Sequence, residues 1–151
     1  MLELATMSDW AEINRLSNQV AALHTAWRPD LFQEAEISYP EDVLKGYIKD
    51  KTLFVAKLDG TVVGYTAFWI WETNGPCSVP RKVLSINDFC VDAPLRGHGI
   101  GTQLMAELRI LAKACGCSDL QLTVYPQNDA AVNFYQKCGF LIKSIDMQRK
   151  V

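Results

Sequence analysis

Two hydrophobic periods alternate along the chain, and the first long periodic segment has the helical one. Apolar residues recur at every third or fourth position from Trp10 to Trp27, which is the period of an amphipathic helix. Ser8 is placed to cap the start of this helix, and Pro29 is expected to stop it. The stretch from Glu41 to Asp50 begins directly after a proline and predicts a second, shorter helix.

Strand-like segments dominate the middle of the chain. β-Branched and aromatic residues occur there in short runs, and turn residues separate the runs. The pair Asp59-Gly60 is a strong signal for a tight hairpin between two of them. We predict strands at Leu2 to Ala5, Thr52 to Leu58, Thr61 to Trp71 and Lys82 to Val91.

The last third of the chain predicts two more helices and two more strands. Leu104, Leu108 and Leu111 lie on one face of a third helix, and Gly116 is suited to its C-terminal end. The whole order indicates an α/β fold with one mixed, mostly antiparallel sheet flanked by helices, in a single domain over residues 1–151. The remaining elements are a fifth strand from Leu120 to Tyr125, a fourth helix from Asp129 to Lys137 and a final strand from Phe140 to Met147.

Composition and charge narrow the possible partners. Apolar residues make up 49% and charged residues 21% of the chain, as in an ordinary soluble globular protein. With a formal net charge of -2 there is no basic excess to neutralise a phosphate backbone, so no nucleic acid is expected as a partner. The longest apolar-rich run is too short to span a bilayer, and the N-terminus lacks a signal-peptide pattern. We expect no membrane association and a cytoplasmic location.

The five cysteines do not form a recognisable metal-binding pattern. Cys115 and Cys117 could supply half of a zinc site, but no second pair follows them. The only histidines, His24 and His98, lie far from this pair in the sequence. An odd number of cysteines in a chain of this kind is typical of reduced thiols in a cytosol, so we expect no metal.

A glycine-rich turn between the fourth strand and the third helix is the first sign of a binding site. The segment reads Arg96-Gly97-His98-Gly99-Ile100-Gly101-Thr102. Glycines there allow several N–H groups of the helix N-terminus to converge, which suits a phosphate or pyrophosphate. The glycine spacing fits neither a Walker loop nor a dinucleotide fingerprint. A purely structural turn is the alternative.

Two motifs together resemble the GNAT family of N-acetyltransferases. Arg96-x-x-Gly99-x-Gly101 is similar to the loop with which this family holds the pyrophosphate of acyl-CoA. The downstream segment from Asn128 to Phe140, with Ala131, Phe134-Tyr135 and Gly139-Phe140, is similar to the family's second signature. The resemblance covers essentially the whole chain, and it implies the GNAT fold and acetyl-CoA as cosubstrate.

The resemblance also implies roles for individual residues. The fourth and fifth strands are expected to separate and leave a cleft for the pantetheine arm, which would pair with the backbone of Phe89, Cys90 and Val91. Asn128 would hydrogen-bond this arm, and Ala131 and Phe134 would pack against it. The N–H groups expected to hold the pyrophosphate are those of Arg96, Gly97, His98, Gly99, Ile100, Gly101 and Thr102.

Amide formation from a thioester needs an oxyanion stabiliser, a proton donor for the departing sulfur and a base for the amine. On the family pattern, a backbone N–H near Cys90 or Val91 would polarise the acetyl carbonyl. Tyr135 is the candidate general acid, because a phenol with a pKa near ~10 can donate to a departing thiolate. The alternative is that Tyr135 is a half-buried core aromatic.

The base is less clearly indicated than the acid. Related enzymes that acetylate protein N-termini carry a glutamate on the fifth strand, where this chain has Thr123. Asp88 is the replacement that we predict, acting directly or through a water molecule, although a structural carboxylate is equally consistent with its position. Glu34 and Glu72 are fainter options. Cys90 could form an acetyl-thioester, but a cysteine in a strand is usually core, so direct transfer is favoured.

The acceptor is the least determined part of the prediction. Trp27, Phe32, Tyr39, Trp69 and Trp71 are candidates to line its pocket, and His24 could approach it, although aromatics at these positions also suit a small core. The leading hypothesis is transfer to a primary amine of a small molecule or peptide. A catalytically silent CoA-binding regulatory module and transfer of a longer acyl group are the alternatives. A homodimer is a family-level expectation.

Overall fold

The computed structural model describes residues 2–151, the whole chain except Met1. One turn of 3-10 helix, Met7–Asp9, precedes the first α-helix, and another, Ala93–Leu95, precedes the glycine-rich turn. The strands of the described chain are β1 (Leu2–Leu4), β2 (Leu53–Leu58), β3 (Thr61–Thr73), β4 (Arg81–Val91) and β5 (Asp119–Leu122), and its helices are α1 (Trp10–Trp27), α2 (Glu41–Asp50), α3 (Ile100–Ala114) and α4 (Asp129–Lys137).

One sheet carries the strands in the order β1-β2-β3-β4-β5. The first four strands pair antiparallel, and β5 joins β4 in parallel. A parallel pair needs a long crossover connection, and α3 supplies it. The predicted mixed, mostly antiparallel sheet flanked by helices is therefore confirmed.

Each face of the sheet is covered by two helices. Period-two alternation along β2 directs Leu53 and Val55 to one face and Phe54 and Ala56 to the other. The first face packs against α1 and α2, and the second against α3 and α4. Fully buried side chains at the centre of the two faces include Ile13, Leu16, Leu44, Val55 and Tyr65 on the first, and Leu84, Met105 and Leu108 on the second.

The start of α1 is fixed by Thr6 and Asp9 rather than by the predicted cap Ser8. The Thr6 N–H donates to Oδ2 of Asp9 at 2.9 Å, and Lys57 Nζ lies 3.0 Å from Oδ1 of the same carboxylate. Burial alone would raise the pKa of Asp9, but these hydrogen bonds outweigh it and lower the pKa. Ser8 lies inside the preceding 3-10 turn, where its hydroxyl pairs only with that of Thr6.

The predicted final strand from Phe140 to Met147 is wrong. Residues 140–151 adopt no regular structure, and the side chains of Leu141, Ile142 and Ile145 are 90%, 76% and 79% exposed. The segment has the alternation of a strand, but β5 ends at Leu122 instead of the predicted Tyr125 and offers no ladder to it. Its link to β5 is a side-chain hydrogen bond from Lys143 to Gln121 at 2.9 Å.

A β-bulge in β4 changes which side chains face which helices. Ala67 pairs with Asp88 and Phe68 pairs with Ile86, so Asn87 has no partner residue on β3. Before the bulge, Leu84 and Ile86 face α3 and α4. After it Phe89 faces those helices, whereas Cys90 faces α1 and α2. The extra residue thus places Asp88 and Cys90 on the first face of the sheet.

The longest helix in the described part of the chain is α1, with 18 residues. No helix within residues 2–151 is long and apolar enough to cross a membrane.

Candidate active site

The strands β4 and β5 separate within the sheet. Their parallel pairing runs from Val83–Asp119 to Ile86–Leu122, and β4 continues for five more residues, to Val91, without β5 beside it. The β4 bulge lies directly after the last paired residue, which bends the strand where the pairing ends. A cleft therefore opens beside the second half of β4.

The backbone of β4 presents two residues to this cleft. The Asp92 N–H donates to the Val63 carbonyl on β3 at 2.9 Å. Because N–H groups alternate between the two sides of a strand, those of Phe89 and Val91 point away from β3 and towards the cleft. The same alternation directs the Cys90 N–H to β3, so of the two N–H groups predicted to polarise an acetyl carbonyl, only that of Val91 faces the cleft.

Aromatic rings from α4 form the opposite side of the cleft. The Phe134 ring stacks on Phe89 with centroids 5.7 Å apart, and Tyr135 meets Phe89 edge-on at 6.2 Å. A Cβ added at Gly101 would lie 3.3 Å from Cζ of Phe134, so the glycine allows the start of α3 to approach this ring. Three residues predicted separately from the two motifs are therefore in contact, namely Phe89, Gly101 and Phe134.

The glycine-rich turn leads into α3 with a left-handed backbone. Gly97 and Gly99 have φ of 81° and 85°, a region that favours glycine. Gly99 is the N-cap of α3, and the first intrahelical bond runs from the Gln103 N–H to the Gly99 carbonyl at 3.0 Å. The N–H groups of residues 100–102 precede that bond, so they are the unpaired donors that every helix N-terminus carries. The helix dipole adds positive potential at the same place.

The first helix holds the glycine-rich turn in position. Arg15 of α1 lies 2.9 Å from Asp92, and Gln19 donates to the same carboxylate at 2.9 Å. The Gln19 side-chain oxygen in turn accepts from the Ala93 N–H at 3.1 Å and from the Arg96 guanidinium at 3.4 Å. This network fixes the chain between β4 and α3, and sequence reasoning missed Arg15 and Gln19.

The charge of Arg96 is held close to the cleft. Its Nε donates to the Val91 carbonyl at 2.9 Å, which is a cleft-facing group of β4. His98 is exposed, and its Nδ1 lies 3.1 Å from the Arg96 carbonyl oxygen. The guanidinium is thereby positioned beside the turn whose N–H groups are unpaired.

Asn128 begins α4 and lies at the far side of the cleft. Its Oδ1 accepts a hydrogen bond from the Ala131 N–H at 3.2 Å, which makes it the N-cap of this helix. Its side-chain amide group carries two N–H donors that this bond does not use. Asn128 and Ala131 therefore occupy the start of the helix that carries Phe134 and Tyr135.

Asp88 is held by two tyrosines in the floor of a pocket. The Tyr39 hydroxyl donates a short hydrogen bond to Oδ2 of Asp88, and the Tyr65 hydroxyl donates to the same oxygen at 3.3 Å. Burial raises the pKa of Asp88, and these hydrogen bonds, which favour the carboxylate, offset the effect only in part. Within the described chain no group donates to Oδ1, so one oxygen is fixed and the other is available.

The pocket above Asp88 has a volume of about 310 Å³. We call it the inner pocket; it lies between α1, α2 and the β4 bulge. Burial lowers the pKa of His24, and the charge of Asp88 opposes this only partly, so the imidazole is mainly neutral at neutral pH. The lining includes Ser17, His24, Tyr39, Val43, Tyr47 and Asp88.

Tyr135 combines a half-buried ring with a hydroxyl that has no partner among residues 2–151. The ring packs between Phe89, Phe134 and Phe140. Burial raises the pKa of the Tyr135 phenol to about 12, and the negative charge of Asp88 contributes to the shift. The hydroxyl is therefore protonated at neutral pH and is influenced electrostatically by the carboxylate of the inner pocket.

Cys90 has the environment of a core residue. It is 3% exposed, and its thiol donates to the Leu16 carbonyl at 3.5 Å. Burial raises its pKa to about 11, and the charge of Arg96 opposes the shift without cancelling it. The thiolate form of Cys90, which a nucleophilic role would need, is therefore scarce at neutral pH.

The other candidates for base or acceptor contacts are spread over three places. Thr123 lies beyond the end of β5 and is exposed, as are Glu34 and Glu72. The ring centroids of Phe32 and Trp27 lie 5.1 Å and 5.9 Å from that of His24, so both rings pack against a lining residue of the inner pocket. Trp71 instead donates to Ser85 at 2.8 Å within the sheet.

The most informative pair that sequence reasoning missed is Tyr39 with Asp88. Tyr39 was only one of several aromatic candidates, because the segment from 30 to 40 has no period. The bulge that directs Asp88 towards Tyr39 leaves no signal in the strand pattern. The residue types give a weak hint, since asparagine and aspartate, here Asn87 and Asp88, are both disfavoured in a strand interior.

The family model described as acetyltransferase (GNAT) family matches residues 19–140. The chain therefore belongs to the GNAT family of acetyltransferases. The match spans both signature segments and the whole cleft described above.

Relatives of known sequence are N-acetyltransferases by name. The mouse thialysine N-epsilon-acetyltransferase is 31% identical over 138 residues, which cover 85% of this chain and 71% of the relative. An N-acetyltransferase of Methanocaldococcus jannaschii is 34% identical over 95 residues, covering 61% of this chain and 40% of the relative. A probable glucosamine 6-phosphate N-acetyltransferase of rice is 38% identical over 66 residues, or 44% of this chain. The chain matches only 40% and 38% of the length of the last two.

Solved structures confirm the fold. A mutant of the BH1408 protein from Bacillus halodurans superposes with a TM-score of 0.95 at 26% identity, over 100% of this chain and 99% of that one. The aminoglycoside N-acetyltransferase AAC(6')-Iy, solved in complex with CoA, superposes with a TM-score of 0.72 at 16% identity, with the same coverage. At that identity the second likeness shows the fold alone.

Proposed function

We propose that this chain is a single-domain enzyme that transfers the acetyl group of acetyl-CoA directly to a primary amine, with Asp88 accepting the proton of the amine and Tyr135 acting at the sulfur. The observation that carries the proposal is the half-held carboxylate of Asp88. Two tyrosines fix its Oδ2 and leave Oδ1 free in the inner pocket, at the bulge that borders the cleft.

The residues of the cleft suit acetyl-CoA. The unpaired N–H groups of residues 100–102 and the guanidinium of Arg96 offer donors and positive potential for a pyrophosphate. Gly99 and Gly101 keep side chains away from that place. The cleft-facing N–H of Val91, which is the nearer of the two to the glycine-rich turn, provides strand-like pairing for a pantetheine amide, and Asn128 has spare amide hydrogens on the other wall.

Asp88 performs the first proton step. A protonated amine in the inner pocket donates to Oδ1, where the charge of the carboxylate orients it. The raised pKa of Asp88 makes it a better proton acceptor than a surface carboxylate. The neutral imidazole of His24, in the same lining, provides a route by which this proton can reach solvent.

Acetyl transfer forms one bond at the acetyl carbon and breaks another. A new bond joins the amine nitrogen to the acetyl carbon, and the bond from that carbon to sulfur breaks. The Phe89 N–H lies next to Asp88 and Cys90, on the side of β4 where the carbonyl oxygen develops charge, and the Val91 N–H remains with the pantetheine arm. The nitrogen loses two protons. Asp88 takes the first, and the second replaces, through solvent, the proton that Tyr135 gives to the sulfur.

The electrostatic link between Asp88 and Tyr135 gives the two steps an order. With a pKa of about 12, the Tyr135 phenol is a weak donor to a thiolate of pKa ~8.5. Part of that high pKa comes from the negative charge of Asp88. When Asp88 becomes protonated by the amine, this part is removed, and Tyr135 becomes a stronger acid after the nucleophile has formed.

A panel of amines tests the proposal. We expect acetyl-CoA to be consumed with release of free thiol and a matching mass gain of the amine. Tyr135→Phe should lower kcat by about 10²- to 10⁴-fold while the Kd for CoA remains nearly unchanged. Cys77→Ser is the control, because Cys77 is exposed and lies in the loop between β3 and β4, away from the residues that form the cleft.

The alternative is a catalytically silent CoA-binding regulatory module. The absence of a carboxylate at Thr123 supports it, since relatives that act on protein N-termini are expected to use a base on that strand. The same panel decides between the two. Tight CoA binding without turnover of any amine would support the silent module and contradict the proposed enzyme.

We also propose that the protein forms a homodimer. The C-terminal segment of residues 140–151 supports this proposal, because it has a strand-like alternation and exposes apolar side chains such as Leu141 and Ile145. An exposed apolar surface of this kind is typical of an interface. Light scattering after gel filtration measures the mass directly, and a monomer over the micromolar range would contradict it.

A further inference from the structure

A second and larger concavity lies beside the inner pocket, between α2 and β3. This outer groove has a volume of about 540 Å³. Its lining includes Val43, Gly46, Tyr47, Asp50 and Trp69. Val43 and Tyr47 line both concavities, so these two side chains lie between the inner pocket and the outer groove. The proposed function needs only the inner pocket and assigns no role to the outer groove.

The charges around the two concavities are of one sign. Asp88 lines the inner pocket and Asp50 lines the outer groove. In the part of the chain that the structure describes, neither lining includes a lysine or an arginine. His24 is the basic group present, and burial lowers its pKa. This arrangement favours a ligand with positive charge at both ends and opposes an anionic one.

The outer groove is open beside an aromatic side chain. Trp69 is 48% exposed, although it is a large aromatic in the interior of a strand, and it presents a surface to the outer groove. Gly46 lies in the middle of α2, where glycine is unfavourable, and no atom lies within 4 Å of the position that its Cβ would take. The packing of the described chain does not require a tryptophan at position 69 or a glycine at position 46. Together the two residues leave open space beside an aromatic face.

We propose that the acceptor is a linear diamine, whose reacting amine binds Asp88 in the inner pocket while its second ammonium group extends through the outer groove to Asp50 and Trp69. This inference rests on the proposed function and specifies its substrate class. Tyr47 and Val43 border the connecting alkyl chain. The indole of Trp69 suits an ammonium group through its π face, and Asp50 adds the opposite charge.

The test compares substrates that differ in one charge. Putrescine, cadaverine and hexamethylenediamine are each compared with the monoamine and the amino alcohol of the same chain length, and glucosamine 6-phosphate is the anionic amine. We expect at least one diamine to exceed its monoamine and amino alcohol in kcat/KM by about five- to tenfold, as one surface ion pair and one cation–π contact together provide. Glucosamine 6-phosphate should be a poor acceptor.

Variants connect the preference to the outer groove. Asp50→Asn should lower the ratio of diamine to monoamine kcat/KM by about two- to fivefold, the range of an exposed ion pair. Gly46→Leu, which fills the groove from α2, should lower the same ratio. Asp42→Asn is the matched control, because Asp42 is an exposed acid on α2 that lines neither concavity, and it should leave the ratio unchanged.

The outcomes separate this inference from the proposed function. The diamine assignment would be overturned by equal kcat/KM values for each diamine and its amino alcohol. An unchanged ratio of diamine to monoamine kcat/KM in Asp50→Asn would also overturn it. In either case, turnover of the monoamines would still support the proposed acetyltransferase. Efficient acetylation of glucosamine 6-phosphate would also overturn it. If no amine of any kind is acetylated although CoA binds, the proposed function fails, and the assignment fails with it.

Discussion

The Tyr39 hydroxyl donates a hydrogen bond to Oδ2 of Asp88, across 49 positions of sequence. This contact joins the irregular segment before α2 to the bulge of β4, and it favours the ionised form of a carboxylate whose pKa burial raises. In the proposed reaction, this contact therefore influences the pH at which Asp88 can accept a proton from an amine.

Tyr39→Phe should move the acidic limb of kcat/KM to higher pH. Removing a hydrogen bond to the carboxylate raises the pKa of Asp88 further, and a shift of about one pH unit is expected for one such bond. The pH profile of kcat/KM measures it. Tyr47→Phe is the control, because the Tyr47 hydroxyl accepts from Asn87 at 3.0 Å rather than donating to Asp88. An unmoved limb in a folded Tyr39→Phe protein would contradict the role of Asp88.

The alkaline side of the profile should report on Tyr135. Because burial and the charge of Asp88 raise the pKa of this phenol to about 12, it remains protonated well above its ordinary range. We expect kcat to stay flat between about pH 8 and pH 10, where an ordinary tyrosine would begin to lose its proton. A falling limb in that interval that disappears in Tyr135→Phe would show that the phenol has an ordinary pKa.

Most of the fold was predictable because it depends on local patterns. The helical period of α1, the Asp59-Gly60 turn and the glycines around α3 each act over a few residues, and all lie where they were expected. The strand predicted from Phe140 to Met147 failed for a non-local reason. Alternation makes a segment able to form a strand, but a ladder partner decides whether it does, and no neighbouring strand of the described chain supplies one.

The glycine-rich loop and the surroundings of Asp88 also differ in how far they depend on local sequence. The loop from Arg96 to Thr102 is contiguous, so its resemblance to the pyrophosphate loop of the GNAT family is visible in the residues alone. The surroundings of Asp88 depend on the bulge at Asn87, which reverses the facing of every later side chain in β4, and on contacts with Tyr39 and Tyr65 from distant segments. The residues around a tyrosine in the sequence do not show which distant carboxylate its hydroxyl will contact, so these two hydrogen bonds could not be predicted.

Gly99→Ala should weaken both the fold and the binding of CoA. Gly99 has φ of 85° at the N-cap of α3, and an L-residue there costs about 1–2 kcal/mol. Chemical denaturation measures the free energy of unfolding, and calorimetry measures the Kd for CoA. His98→Ala is the neighbouring control, because His98 is exposed and its φ is not positive. Equal effects of the two substitutions would argue against a backbone role for Gly99.

Gly46→Ala should stabilise the protein. Replacing glycine by alanine within a helix is worth about 0.5–1 kcal/mol, and the new methyl group meets no atom within 4 Å. The midpoint of thermal unfolding should rise. Gly64→Ala is the contrasting variant, because its Cβ would lie 2.8 Å from the Cys90 carbonyl oxygen and should destabilise the fold. A destabilised Gly46→Ala protein would mean that α2 packs more tightly than its open face indicates.

Cys90→Ala should retain most of its turnover, because direct transfer needs no acetyl-thioester on the enzyme. The Cys90 thiol is 3% exposed, and burial raises its pKa to about 11, so a thiolate is scarce at neutral pH. Iodoacetamide should therefore label the exposed Cys77 before Cys90, and initial rates against both substrates should give intersecting rather than parallel double-reciprocal lines. Parallel lines, together with loss of activity in a folded Cys90→Ala protein and an acetylated peptide containing Cys90, would replace direct transfer by a two-step mechanism through that sulfur.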